Sequence, residues 1–393
     1  MRDVSTQKTS LSDIALLFLR LGTTAFGGPA AHIAMMEDEV VRRRGWLTRD
    51  QFLDYLGATN LIPGPNSTEM AIHIGHARAG WPGLVVAGVS FIAPATLIVS
   101  AVAWAYVRYG ALPEVTGILY GVKPVVIAIV AHALWRLGRS AVKTRELAVL
   151  AGAAAVAAAG GMHELVVLLA AGSACALIRV MSRPSRSSTI AALTAVAGAS
   201  TTTAVLTAVP AVATAAAAPF GLWTLFFVCA KIGAVLFGSG YVLLAFLRAD
   251  LVQRLGWLTE PQLLDAIAAG QVTPGPVFTT VTFVGYVLGG PAGAATATLG
   301  IFLPSFIFVA LSGPLVPRLR RSPTASAVLD GVNVASLALM AIVSWQLGRA
   351  ALVDSLTVMM AAIALFALAR YHVNSAWLIG AAALIGLGAT MML

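Results

Sequence analysis

The sequence predicts an all-α, polytopic membrane protein made of two related halves with opposite orientations. Of its 393 residues, 59% are hydrophobic and only 10% are charged, and the mean hydropathy is +0.88. A soluble domain carries about a quarter charged residues. Apolar stretches of about twenty residues, the length that spans a bilayer, recur along the chain. No extended polar block remains that would form a soluble domain.

The second half of the chain repeats the first. The segments Phe26-Gly27, Gly45-Trp46-Leu47 and Pro63-Gly64-Pro65 recur 211 residues later as Phe237-Gly238, Gly256-Trp257-Leu258 and Pro274-Gly275-Pro276. Many membrane transporters are built from such duplicated apolar halves, and their substrate sites lie where the halves meet. We therefore divide the chain into a first repeat at 1–185, a linker transmembrane segment at 186–219 and a second repeat at 220–393.

Thirteen apolar spans follow one another in the sequence, six in each half and one in the linker. The six of the first half lie at 11–31, 50–78, 82–107, 113–135, 146–161 and 163–181. The linker contributes one, at 189–217. The six of the second half lie at 221–246, 261–287, 291–316, 325–347, 351–369 and 373–393.

The second span of each half contains a Pro-Gly-Pro triplet, at Pro63-Gly64-Pro65 and Pro274-Gly275-Pro276. Proline removes a backbone donor, and glycine lets the chain change direction. Each of these spans is therefore predicted to consist of two short helices joined by unwound backbone, with Thr48 and Thr259 as N-caps. Lipid does not satisfy such backbone, so both breaks should face the protein interior or a wet cavity. Whether each segment crosses the membrane or doubles back is left open.

The positions of lysine and arginine favour inverted halves. The loop after the fourth span carries four basic residues between 136 and 145, whereas the corresponding loop of the second half carries only Arg349. Homologous loops with opposite charge bias are expected on opposite sides of a membrane. With the N-terminus inside, 16 basic residues fall in inner loops and 6 in outer ones, but the basic cluster at 42–49 falls outside. If the triplet segments double back and the linker does not cross, the same ratio gives the opposite orientation.

The strongest candidate site follows the first triplet, where Asn66, Ser67 and Thr68 begin a helix. A helix N-terminus presents unpaired N–H groups and a partial positive charge, so it attracts anions. Thr279 and Thr280 occupy the corresponding place in the second half. Two such helix starts pointing inward from opposite sides would hold a small oxyanion; the alternative is a pair of structural kinks.

Two cations inside apolar spans extend this candidate site. Arg20 and Lys231 occupy equivalent positions of the repeat, and a charge in a membrane span is usually paired or functional. We consider both as oxyanion ligands or counter-charges, with snorkelling to the interface as the alternative for Arg20. Lys123 matches Asn333, so any role for it belongs to one half only. Four residues that interrupt the first helix of each half are further candidates as N–H donors, with close helix packing as the alternative: Gly27, Gly28, Gly238 and Ser239.

Glu69, His73 and His76 share one helical face and have no counterpart in the second half. A carboxylate and imidazoles within a membrane can relay protons or bind metal, so Glu69 and His73 are candidates for proton coupling. The alternative is that these side chains are hydrogen-bonded or solvated near a helix end. We expect no metal site and no cofactor.

Enzymatic and nucleic-acid-binding functions are not supported. The sequence has no phosphate-binding loop, no His-Glu-x-x-His, no Gly-x-Ser-x-Gly and no Cys-x-x-Cys. The net charge of +9 comes from basic residues scattered between apolar spans, which is the pattern of the positive-inside rule. Nucleic acid is therefore not an expected partner.

The motifs resemble those of the chromate ion transporter family, in its long two-domain form. The resemblance covers about 11–183 and 221–393 and rests on Phe26-Gly27-Gly28-Pro29, Arg43-Arg44-Gly45-Trp46-Leu47, Pro63-Gly64-Pro65-Asn66 and their second copies. It implies a multi-pass protein of the bacterial inner membrane that exports chromate, uses the proton motive force and confers chromate resistance, with sulfate as the structural competitor. Expected partners are chromate or sulfate and membrane lipid, and a homodimer is also considered.

Two other functions stay open. One is a sulfate or other oxyanion carrier, or a channel, on the same fold. The other is a proton-coupled cation or metal transporter built around Glu69, His73 and His76.

Overall fold

The computed structural model confirms the all-α membrane fold. The residues it describes form 14 α-helices and no strand, and they are 9–25, 28–181, 219–237, 240–320, 322–371 and 373–392. Five helical stretches among them are long and apolar enough to cross a membrane: Asn66–Tyr109, Pro113–Ala141, Glu164–Met181, Val277–Ser312 and Thr324–Ala351. The linker span expected at 189–217 lies outside the described residues.

Both halves have the same order of elements. The helices of the first half are α1 (Leu11–Thr24), α2 (Pro29–Glu37, continued by a π-helical turn at Asp38–Arg43), α3 (Arg49–Thr59), α4 (Asn66–Tyr109), α5 (Pro113–Ala141), α6 (Arg145–Ala159) and α7 (Glu164–Met181). Those of the second half are α8 (Leu222–Val235), α9 (Leu243–Leu247, continued by a π-helical turn at Arg248–Arg254), α10 (Glu260–Val272), α11 (Thr280–Arg320), α12 (Pro323–Ala351), α13 (Ser355–Tyr371) and α14 (Ser375–Met392). Short 3₁₀ turns precede α9 at Gly240–Val242 and α11 at Val277–Thr279.

The first Pro-Gly-Pro segment doubles back instead of crossing. The ring of Tyr55 in α3 stacks on that of His73 in α4, with centroids 5.4 Å apart. At the base of the pair, Arg78 donates to the carbonyl oxygen of Trp46 and to the hydroxyl of Thr9. Tyr55 and His73 each lie nine residues from Gly64, and Trp46 and Arg78 lie farther out on the two sides of the triplet. The chain therefore returns along itself, and α3 and the start of α4 form an antiparallel hairpin with Pro63-Gly64-Pro65 at its tip.

The predicted first span, 11–31, also ends in a hairpin. Arg20 of α1 reaches Glu39, which follows α2, with 3.5 Å between Nη1 and Oε1. A continuous helix would place these residues about 28 Å apart. The chain therefore reverses between α1 and α2, and Lys231 and Asp250 form the equivalent pair in the second half. Each half thus begins with two hairpins.

A sharp turn at Ala79 and Gly80 ends the second hairpin and starts the long arm of α4, 81–109. Gly80 has φ +64°, and a Cβ atom at Gly75 would clash with the carbonyl oxygen of Gly83, so the two arms of α4 are in close contact. The second half repeats this turn, with φ +60° at Gly290. At about 1.5 Å per residue the long arm crosses a whole bilayer, whereas the 11 residues of α3 reach about halfway.

The halves enter the membrane from opposite faces, as predicted. The Tyr106 hydroxyl, near the far end of the long arm of α4, donates to Asp265 in the hairpin helix α10, with 2.9 Å between Oη and Oδ2. Arg254, at the base of the second-half hairpins, pairs with Glu164, the first residue of α7. The hairpin bases of the second half thus lie on the face opposite to Thr9.

The helices after the hairpins interlock the two halves. Helix α5 packs antiparallel on α14, since Gly117 lies against Thr390 and Gly121 against the carbonyl oxygen of Ala382. Helix α7 packs on α12, the pair equivalent to α14 on α5 in the repeat, with Gly172 against Val328. Glycines at these positions let helix backbones approach closely, as is common within membranes.

With the segments folded as hairpins, the basic cluster at 42–49 no longer falls on the side opposite to the other basic residues. Described basic side chains on the face of Thr9 number eleven, at Arg42, Arg43, Arg44, Arg49, Arg78, Arg136, Arg139, Lys143, Arg145, Arg179 and Arg370. Those on the opposite face number four, at Arg108, Arg248, Arg254 and Arg349. The 42–49 cluster now lies with the other basic residues. By the positive-inside rule the face of Thr9 is cytoplasmic and the opposite one is the outer face.

This topology predicts which cysteines a membrane-impermeant maleimide reaches, in a variant with Cys175 and Cys229 replaced by serine. Arg49→Cys and Lys143→Cys should both be labelled only in inside-out vesicles, because both lie on the cytoplasmic face. Arg108→Cys should be labelled only from outside the cell. Labelling of Arg49→Cys and Lys143→Cys from opposite faces would mean that the triplet segment crosses.

Candidate binding site at the hairpin tips

The two Pro-Gly-Pro tips are held by reciprocal hydrogen bonds between the halves. The Gly64 amide donates to the carbonyl oxygen of Leu236, which ends α8, at 2.8 Å. The Gly275 amide donates to the carbonyl oxygen of Ala25, which ends α1, at 3.0 Å. Both glycines are buried and have positive φ, +141° and +96°. Each tip therefore satisfies the broken end of the other half's first helix.

Both tips lie at the level of the membrane centre. A Cβ atom at Gly275 would lie 2.6 Å from Cβ of Ala95, and one at Gly64 would lie 2.6 Å from Oγ of Ser305. Ala95 and Ser305 are equivalent residues, each near the middle of its long arm. The tips thus approach the two arms halfway along their length, where the halves meet.

The first tip ends in an uncapped helix start. Helix α4 begins at Asn66 after Pro65, and no side chain caps its first turn. The side-chain amide nitrogen Nδ2 of Asn66 donates to Oδ1 of Asn60 at 2.8 Å. Two neutral polar side chains thus close the tip. Of the predicted trio, Ser67 and Thr68 are buried beneath the tip. This end of α4 offers backbone N–H groups and an amide side chain to a ligand.

The second tip differs in chemistry. Its Pro-Gly-Pro triplet leads into a 3₁₀ turn, and the hydroxyls of Thr279 and Thr280 donate to the carbonyl oxygens of Pro276 and Val277, at 2.7 and 2.8 Å. Both threonines are fully buried. Their hydroxyls therefore stabilise the turn in this conformation.

A cavity of about 930 Å³ connects the first tip with the cytoplasmic face. Asn60 and Asn66 line its inner end, together with Phe237 of the second half. Arg136 and Lys143 of the α5 end line its mouth. Other polar residues on its wall are His132, Ser140, Asp330, Asn333, Ser336, Asn374 and Ser375. The cavity thus leads from a basic mouth to a polar inner end.

A small cavity of about 30 Å³ lies at the second tip, large enough for a water molecule. Gly28 and Gly275 line it, as does Gln271, whose side-chain nitrogen is buried without a hydrogen-bond partner. Ser375 lines both cavities. Of the four predicted backbone N–H donors, Gly28 therefore lies at this second tip, whereas Gly27, Gly238 and Ser239 lie outside the described residues.

The two predicted intramembrane cations line neither cavity. Lys231 pairs with Asp250 at 2.7 Å, and Asp250 also pairs with Arg254, which in turn reaches Glu164. Arg20 pairs with the equivalent carboxylate, Glu39. In this conformation both cations lie across hairpins as counter-ions of carboxylates.

Glu69 lies directly beneath the first tip. Its side chain is fully buried, and neither oxygen has a hydrogen-bond partner. A Cβ atom at Gly64 would clash with Oε1 of Glu69, and Ser305 of the other half lies against the same glycine. His73 stacks on Tyr55, and His76 packs edge-on against Trp81. Among the described residues, no cluster of three metal-ligand side chains occurs.

Three parts of the site were missed by the sequence reasoning. Asn60 lies before the triplet, and its match with Gln271 in the repeat is the signal that would have found it. Arg136 and Lys143 were considered only as loop charges. Ser305 belongs to the opposite half, and no local motif marks it.

Comparison with known proteins places the chain in a family. The family model described as chromate transporter matches residues 12–178 and 223–387. A chromate transport protein of Cupriavidus metallidurans is 31% identical over 98% of this chain and 94% of its own. One of Pseudomonas aeruginosa is 34% identical over 88% and 84%, and a probable chromate transport protein of Synechococcus elongatus is 31% identical over 91% and 89%. No solved structure gives a significant match.

The tip geometry predicts that Gly64→Ala destabilises the protein. The added methyl group would collide with Glu69 and crowd Ser305, and φ of +141° costs a non-glycine residue about 1–3 kcal/mol. Gly138→Ala is the matched control, because a Cβ atom there meets nothing within 4 Å. Thermal unfolding in detergent should show a lower midpoint for Gly64→Ala alone. Equal midpoints for the two variants would contradict the close packing of the tip.

Proposed function

The chain belongs to the chromate transporter family, and we propose that it exports chromate from the cytoplasm as a secondary transporter driven by the proton motive force. It is a multi-pass bacterial membrane protein and a transporter, not an enzyme. The proposal assigns the oxyanion to the first hairpin tip, at the inner end of the cytoplasmic cavity.

The observation that carries this proposal is the path from a basic mouth to an uncapped helix start. Arg136 and Lys143 raise the local concentration of an anion at the cytoplasmic mouth. At the inner end, Asn66 and the first N–H groups of α4 supply donors for tetrahedral oxygens. A dianion binds there by replacing the bond between Asn66 and Asn60, whose amides then both turn to the ligand.

Export requires this site to open to the outer face afterwards. The two hairpin pairs have the same backbone plan and meet at the membrane centre, so a rocking of one half against the other exposes the tips alternately to each face. The large cavity reaches the first tip from the cytoplasmic face, which supports loading of substrate from the cytoplasm.

Glu69 is the proposed proton-coupling group. It lies next to the oxyanion position, and a carboxylate beside a dianion is repelled unless it binds a proton. Proton binding at Glu69 and oxyanion binding at Asn66 are therefore linked, and each favours the other, so one proton leaves the cytoplasm with the dianion. The pair still carries a net negative charge, and the electrical component of the proton motive force, negative inside, drives it outward. His73, held by its stacking on Tyr55, provides the next group along the same helix face.

Sulfate is the competing substrate on the same site. It is a tetrahedral dianion like chromate, and neutral amides and backbone N–H groups recognise charge and shape but not the central atom. The proposal therefore expects both anions to bind, with chromate transported.

The proposed site predicts a defined effect of Asn66→Val, which copies the residue at the equivalent second-half position, Val277. In everted vesicles, chromate uptake should show a KM raised about tenfold or more, since a hydrogen bond to a charged ligand contributes about 1.5–3 kcal/mol. Arg139→Ala, on the same face but not in the cavity wall, is the control and should leave KM unchanged. Excess sulfate is added in a parallel arm. Wild-type vesicles that take up no chromate would refute the function, and an unchanged KM in Asn66→Val would refute the site.

The coupling proposal predicts that Glu69→Gln separates transport from the pH gradient. Downhill chromate flux should persist, but an imposed pH gradient should no longer accelerate it, because the amide does not exchange a proton. His73→Phe, which preserves the stacking on Tyr55, serves as the companion variant. Proteoliposomes with the pH gradient and voltage imposed separately give the measurement. A Glu69→Gln variant that responds like the wild type would exclude Glu69 as the coupling group.

A further inference from the structure

An ionic cluster around the buried side chain of Asp265 joins the two halves on the outer side of the hairpin tips. Nζ of Lys123 in α5 lies 3.0 Å from Oδ1 of Asp265 in α10, and the Tyr106 hydroxyl donates to Oδ2 at 2.9 Å. Asp265 is only 5% exposed. The ring of Tyr106 also packs against Phe283, with centroids 5.1 Å apart. The cluster therefore closes the outer side between α4, α5 and the second hairpin.

The equivalent residues of the other half show how this position is arranged on the cytoplasmic side, where a cavity is open. The residues equivalent to Lys123 and Asp265 are Asn333 and Asp54. On the cytoplasmic side Asn333 lines the large cavity, and Asp54 is exposed. The position of Lys123 thus holds an ion pair on the outer side, whereas the equivalent position of Asn333 lines a cavity on the cytoplasmic side.

We propose that Lys123 is a substrate contact of the outward-facing state, and that Asp265 occupies it until that state forms. The proposal rests on the proposed function. When inverted halves exchange conformations, each half takes up the arrangement now seen in the other. Lys123 then lines an outer cavity in the place where Asn333 lines the cytoplasmic one. The oxyanion and the Asp265 carboxylate compete for the same ammonium group.

The chemistry of the position supports a ligand role. A lysine within a membrane span is costly, so it is retained where it pairs with a charge or serves function. An ammonium group with three donors suits a tetrahedral dianion. Because the equivalent residue is neutral Asn333, only the outer path has a positive charge at this position of the repeat. The two paths therefore treat the anion differently.

The experiment compares Lys123→Asn with Asp265→Asn. Lys123→Asn copies the natural residue of the other half, and Asp265→Asn removes the competing carboxylate while Tyr106 keeps a partner. Both break the same ion pair. Chromate half-saturation is measured separately from the outer face, in right-side-out vesicles, and from the cytoplasmic face, in everted vesicles. Arg108→Asn, an exposed cation on the outer face, is the control.

A ligand role predicts opposite effects of the two variants. Lys123→Asn should raise the outer-face half-saturation concentration about tenfold or more, and Asp265→Asn should lower it. Lys123→Arg should have an outer-face half-saturation concentration close to that of the wild type, since arginine keeps the positive charge. Arg108→Asn should change neither face.

Equal effects of Lys123→Asn and Asp265→Asn, in the same direction on both faces, would overturn the proposal, because a purely structural ion pair gives that result. If Lys123→Asn does not fold, Lys123→Arg and Asp265→Asn still test the proposal. It requires that Asp265→Asn has a lower outer-face half-saturation concentration than the wild type. Wild-type vesicles without oxyanion transport would refute the proposed function itself, which is a different outcome.

Discussion

The fold depends on one constraint: a helix broken within lipid must find partners for its free backbone groups. The amide of Gly64 and the carbonyl oxygen of Leu236 satisfy each other, and the Gly275 amide does the same with Ala25. Each bond joins a tip of one half to a helix end of the other, so each half completes the hydrogen bonding of the other half's breaks. The duplicated sequence is therefore one structural unit, and the meeting place of its halves is polar, buried and central.

A symmetric backbone carries unequal side chains, and this inequality suits directional transport. Both tips use the same glycine geometry, yet one leads into Asn66 and the other into Val277. The first tip has Glu69 beneath it, where the second has a threonine bonded to its own turn. A scaffold with equivalent halves gives two alternating states of similar energy. Different side chains at equivalent places then place the proposed proton and anion sites in one half.

Sequence patterns predicted the local structure well. The Pro-Gly-Pro breaks are present, and Thr48 and Thr259 both form N-caps with complete capping boxes. The duplication, the opposed orientations and the burial of the breaks also follow from residue types, because proline, glycine and lysine act within a few residues or within one loop. Asn66, alone among the residues predicted after the triplet, lines the large cavity.

The direction of the chain after each break could not be predicted from the sequence. A Pro-Gly-Pro triplet ends a helix but does not determine the angle of the next one. The contacts that set it, such as Tyr55 on His73 and Arg78 on Trp46, lie many residues apart and carry no local signature. For the same reason the sequence could not predict the Lys123–Asp265 ion pair. It forms only when α5 of the first half packs beside α10 of the second half.

The central claim is that an oxyanion binds where the first hairpin tip meets the second half. An electron cryomicroscopy structure in lipid nanodiscs, with and without chromate, tests it most directly. The account predicts new density at the start of α4, within hydrogen-bonding distance of Asn66, with the Gly64–Leu236 bond intact at the membrane centre. Density beside Lys231 or Arg20 with the tip unoccupied, or a triplet segment that crosses to the other face, would contradict it.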